Sequence, residues 1–104
     1  MRSANSNPQV EICEDLLRKS KTVSVLITLY LKGESSIHSL HRAVGGSLET
    51  LYQTLDLLQI KNLVARRRVK RRVFVSLTDL GRRVAEHLDK IAELVANPKH
   101  YYGG

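Results

Sequence analysis

The chain has 104 residues, 42% of them apolar, which allows one small domain with a modest core. No apolar run reaches the roughly 18 residues of a membrane span, the polar residues 1–8 lack the apolar centre of a secretory leader, and the single cysteine, Cys13, excludes an internal disulfide and a cysteine zinc cage. Seven of the 17 basic residues fall in the acid-free stretch 61–72, and the other ten balance the 10 acidic residues, so this stretch carries the whole net charge of +7.

A charge run alone is more often a solvated face than a site. Concentrated in one place, it points to a polyanion partner. The surroundings decide between the two.

Residues 1–8 read as a loose arm. Val10, Ile12, Cys13, Leu16 and Leu17 give a short amphipathic helix over 9–18, with Cys13 expected as a small buried hydrophobe rather than a redox switch. Ser20 is a candidate cap for a helix reaching Lys32, apolar on most sides and therefore the central core helix. Gly33 falls where a left-handed stop belongs. Ser35 or Ser36 starts a short helix with Ile37, Leu40, His41 and Val44 on one side, and Gly45-Gly46 breaks it.

Ser47 caps the next helix, from Leu48 to about Lys61, whose Leu48, Leu51, Leu55 and Leu58 form one inward stripe. Asn62 is a second left-handed stop. The period then changes. Residues 63–69 and 72–77 are rich in β-branched and aromatic types and read as a two-stranded hairpin turning near Lys70-Arg71, a turn without Gly, Asn or Asp. Thr78 caps a last helix to about Ala96, ended by Asn97-Pro98, and 97–104 is a frayed tail. The domain therefore spans 9–96, with the helix of 78–96 at its end.

The order helix, helix, glycine turn, helix, strand, basic turn, strand, helix contains a tri-helical helix-turn-helix pattern. Three stretches carry a resemblance: Ser36-Ile37-His38-Ser39-Leu40; Leu58-Gln59-Ile60-Lys61-Asn62-Leu63-Val64-Ala65-Arg66; and Leu77-Thr78-Asp79-Leu80-Gly81-Arg82. In this order and spacing, over about residues 20–94, they resemble the winged helix-turn-helix transcription regulators of the MarR, ArsR and PadR type, small prokaryotic proteins, bacterial or archaeal. The family normally has Gly where Asn62 stands, and this basic hairpin is short for its wing. The resemblance implies a mainly α fold with a small β-hairpin, the wing, and a long C-terminal dimerisation helix.

Physical chemistry suggests how such a protein meets DNA. An α-helix fits the major groove. Opposite the leucine stripe lie Glu49, Thr50 and Gln53, with Tyr52 and Thr54 more lateral. Gln53 suits adenine, Thr50 a base edge or thymine methyl, and Glu49 a cytosine amine; Thr54 joins these as a base contact. Ser47 can bind phosphate at the helix start. Tyr52, Lys61, Arg66, Arg67, Arg68, Lys70, Arg71 and Arg72 are the candidates for backbone or minor groove. Strand alternation sends Arg66 and Arg68 to one face and Arg67 to the other. About four or five direct phosphate contacts are expected.

On the last helix Leu80, Val84, Leu88, Ile91, Leu94 and Val95 form an apolar face longer than a small core needs. A homodimer seam is expected there, the alternative being packing on the chain's own first helices. A two-fold dimer reads half-sites about 34 Å apart.

No catalytic set is legible, so the chain is read as a non-enzyme. His38 and His41 lie three apart, more often ordinary surface residues than metal ligands, and no cofactor is implied. The expected partner is double-stranded DNA and the expected compartment cytoplasmic. Two further readings stand beside the sequence-specific regulator: an architectural DNA binder, and a winged-helix module for protein contacts.

Overall fold

The computed structural model describes residues 7–18 and 20–97. Along this chain run α1 (Pro8–Arg18), α2 (Ser20–Lys32), β1 (Ser35–Ser36), α3 (Ile37–Val44), α4 (Leu48–Ile60), β2 (Val64–Val69), β3 (Arg72–Leu77) and α5 (Asp79–Ala96). The expected tail from Pro98 onward, and most of the expected arm, lie outside the described residues; Pro8 already belongs to α1.

Hydroxyl side chains start three of the helices. Ser36, Ser47 and Thr78 sit in extended conformation and accept hydrogen bonds from the backbone N–H of Ser39, Thr50 and Gly81. Each satisfies a donor that the first helical turn leaves unpaired. Ser20, expected ahead of α2, instead lies within the helix. Positive φ ends two elements as read from sequence, at Gly33 (82°) and Asn62 (64°). Gly45 (74°) and Gly46 (76°) turn the chain between α3 and α4. Lys21 on α2 donates through Nζ to the carbonyl of Val44 at 2.7 Å, tying the end of α3 to the central helix.

The core gathers where these helices meet. Val25, Leu26 and Leu29 of α2, Ile37 and Leu40 of α3, and Leu51, Leu55 and Leu58 of α4 are all buried. Leu63, Val64 and Val75 close the core from the sheet, and Ala85 closes it from α5. The leucine stripe of α4 is thus shorter than read from sequence: Leu48, the first of the four, is 44% exposed because it stands at the rim of the core.

The sheet has three antiparallel strands in the order β1-β3-β2, one more than the hairpin expected. Ser35 and Ser36 pair with Val75 and Phe74, a two-residue strand too short and polar to leave a hydrophobic period. In the hairpin Val64 faces Leu77, Arg66 faces Val75 and Val69 faces Arg72. Side chains alternate across a strand. Arg66 and Arg68 therefore share the core side with Val64, Val73 and Val75, and Arg67 shares the outer side with Phe74 and Arg72. The two-residue turn carries positive φ at Lys70 (57°) and not at Arg71, the sign pattern of a type II′ rather than a type I′ turn.

The last helix crosses the hairpin at close range. A Cβ built on Gly81 would stand 1.9 Å from the carbonyl oxygen of Leu63. The Thr78 hydroxyl donates to the Asn62 carbonyl at 2.7 Å, and its N–H to the Leu63 carbonyl at 3.1 Å. Beyond Lys90 every described residue of α5 is exposed.

Candidate nucleic-acid interface

Two elements that carry most of the candidate contacts border one cleft. Leu48 and Tyr52 from the start of α4, Arg71 and Arg72 from the hairpin turn, and His38 and His41 from α3 line a cavity of about 290 Å³. Glu49, Thr50 and Gln53 beside it on α4 are exposed, opposite the buried leucines. The α4 cap fixes hydroxyl roles here. Ser47 Oγ accepts from the Thr50 N–H at 3.0 Å and donates its only proton to Thr50 Oγ1 at 2.8 Å. This leaves the Thr50 proton as a free donor on the outer face, while the Ser47 hydroxyl is occupied by the cap.

Thr54, expected as a base contact, is only 3% exposed and sits among the core leucines. Its position three residues after Leu51 and one before Leu55 rotates it inward.

The basic stretch divides into two sets. Lys61 pairs with Asp15 of α1, on a side chain 29% exposed. Arg66 turns back onto α4, its Nε donating to Gln59 Oε1 at 2.6 Å and its Nη2 to Asp56 Oδ1 at 2.7 Å. Arg67 makes a two-pronged pair with Glu34, at 2.8 and 3.0 Å, beside the Phe74 ring. The Arg67 hydrogen bonds hold the Glu34 carboxyl below its ordinary value of 4.5, and Glu34 raises the guanidinium in return. Arg68, Lys70, Arg71 and Arg72 are exposed and make no ion pair among the described residues. Arg72 lies over Phe74 at 5.7 Å from the ring centroid, which orients it without neutralising it.

The sequence did not mark Glu34, Asp56, Gln59 or Asp15 as partners. Asp56 and Gln59 are three apart, on one helical face, so their pairing with a strand residue was legible in principle. Glu34 was not, because it acts through the unforeseen strand beside it.

No protein-family model matches the chain, and no curated protein does. Solved structures do. A MarR-family transcriptional regulator from Porphyromonas gingivalis W83 superposes with a TM-score of 0.74 at 23% identity, over 92% of this chain and 97% of that one. ZitR from Lactococcus lactis gives 0.72 at 21%, over 91% and 72%. The reduced form of the transcriptional regulator YodB from B. subtilis gives 0.70 at 17%, over 95% and 98%. The fold is a winged helix-turn-helix. The likeness is one of backbone architecture: α2 to α4 form the tri-helical part, β2 and β3 the wing, and α5 the C-terminal helix.

Among the described residues, apolar side chains of α1 and α5 are left uncovered. None of the residues of α1 is buried, and Val10, Ile12 and Leu17 are 48%, 64% and 47% exposed. On α5, Leu80, Ile91, Leu94 and Val95 are 49%, 53%, 42% and 75% exposed, whereas Val84 and Leu88 pack in part on the chain's own core. Cys13, expected to be buried, is exposed, because no described residue covers its side of α1. With Leu17, Leu88 and Ile91 it lines a groove of about 330 Å³ between α1 and α5. The described residues hold no group of three or more metal-ligating side chains, and among them no helix is long and apolar enough to cross a membrane.

Proposed function

We propose that this protein binds double-stranded DNA as a dimeric, sequence-specific transcription regulator. The observation that supports the reading is the shared cleft: the start of α4, through Leu48 and Tyr52, and two wing-tip cations, Arg71 and Arg72, which make no ion pair among the described residues, line one cavity. In this reading Glu49, Thr50 and Gln53 meet base edges in the major groove. Arg68, Lys70, Arg71 and Arg72 meet the phosphate backbone or minor groove. Lys61, Arg66 and Arg67, already paired within the chain, contribute little. The uncovered apolar faces of α1 and α5 form the dimer seam. The role is one of binding, with no reaction assigned.

The architectural reading has one observation in its favour. Arg66 occupies Asp56 and Gln59, so only the first half of α4 is free to read bases. Paired variants separate the two. Thr50→Ala with Gln53→Ala abolishes the preference of a regulator for its site but leaves affinity for arbitrary duplex within about twofold, and truncation of Lys70 and Arg71 weakens binding to all sequences alike. An architectural binder shows no site preference to lose. A protein that binds no duplex at low salt is neither.

A further inference from the structure

The cleft between α3, α4 and the wing tip does more than join two contact surfaces. We propose that it is a seat for one phosphodiester of the DNA backbone, with His38, Tyr52, Arg71 and Arg72 as its donors; this rests on the DNA-binding reading above.

The chemistry of the walls supports an anionic occupant. Two arginines are among the residues that line the cleft, neither in an ion pair among the described residues, and no acidic residue is among them. Arg72 is steadied against Phe74 while its charge stays available. His41 has its Nε2 2.8 Å from the Gly46 carbonyl. A carbonyl oxygen only accepts, so Nε2 carries the hydrogen and the ring is held in place. His38 is exposed, with no hydrogen bond among the described residues, and is free to donate into the cleft. Tyr52, 40% exposed, adds a hydroxyl.

Leu48 supplies the apolar part, 44% exposed on the same wall. Cationic donors beside an apolar patch match a phosphate joined to a sugar better than a free ion. At about 290 Å³ the cavity falls just below the size of pockets for drug-sized ligands, roughly 300 Å³ and above. Tyr52 precedes Gln53 directly, so a backbone held at Tyr52 runs beside the bases that Gln53 would read. Arg71 and Arg72 therefore engage the backbone rather than the minor groove.

The test is a methylphosphonate scan, replacing one charged phosphate at a time in a duplex selected by the full chain. For the wild type, one position per half-site lowers affinity by about tenfold, the loss of a charge-assisted contact. In His38→Ala or Arg72→Ala that same replacement costs less than about twofold, because seat and phosphate are one interaction. Tyr52→Phe weakens binding without changing the selected sequence. Unchanged affinity in all three variants overturns the seat while leaving DNA binding intact; failure of the wild type to bind duplex overturns both. A parallel titration with inorganic phosphate, followed by the imidazole NMR signals of His38 and His41, separates the sources. Saturation at low millimolar phosphate without coupling to any duplex position reassigns the cleft to a free anion and overturns the proposal.

Discussion

Gly81 and Gly33 test different constraints on a glycine. At Gly81 a methyl group meets the Leu63 carbonyl at 1.9 Å, backbone against backbone, so Gly81→Ala must push α5 off the wing. A loss of about 3 kcal/mol or more is expected in chemical denaturation. At Gly33 the space is open, but φ is +82°, so Gly33→Ala should cost only about 1 kcal/mol. Glu34 tests electrostatics. Its carboxyl is lowered by Arg67, so folding favours the ionised form. That stabilisation is complete above the ordinary carboxylate value and fades as pH falls through the lowered one. From about pH 5 to about pH 3 the wild type should lose more stability than Glu34→Gln, as thermal melts can show. At neutral pH the same substitution releases Arg67 and should raise duplex affinity. At this scale the caps and left-handed stops were legible, because one side chain and its neighbours define them. Cys13 was not, because its exposure depends on what covers α1; Thr54 was within reach of the leucine period, which turns it inward.

The wing combines a strained turn with a candidate contact at the same residue. Lys70 holds a φ of 57° that an L side chain adopts at a cost of about 1–2 kcal/mol. Lys70→Gly should therefore raise stability by up to about 1 kcal/mol while weakening duplex binding roughly threefold, two readouts of opposite sign from one substitution. Unchanged binding would remove Lys70 from the interface. The periods of α2, α4 and the hairpin were legible because each buries one face over several residues. β1 was not, because two serines carry no period, and with it the pairing of Glu34 with Arg67 was lost. The basic stretch was visible as charge, but its division into paired and free members comes from acids far apart in sequence.

At the scale of the molecule, the described residues leave apolar side chains on two neighbouring helices exposed. α5, 18 residues or about 27 Å long, leaves Ile91, Leu94 and Val95 exposed, and α1 lies beside it with no buried residue. A two-fold dimer through these helices would bury both faces. Sedimentation of the wild type should give a dimer at micromolar concentration, and Ile91→Glu with Leu94→Glu a folded monomer that binds a single half-site weakly. A wild-type monomer would place the seam elsewhere. Four wing cations make no ion pair among the described residues, and two of them share one phosphate, so log affinity should fall with log salt by a slope of about −3 per protomer, at roughly −0.9 for each phosphate neutralised. Selection from a randomised duplex library at near-physiological salt tests the central claim most directly. The account predicts an enriched motif of two-fold symmetry with half-site centres one helical turn apart, about 34 Å. Tight binding with no enriched motif, or no binding at all, would contradict it.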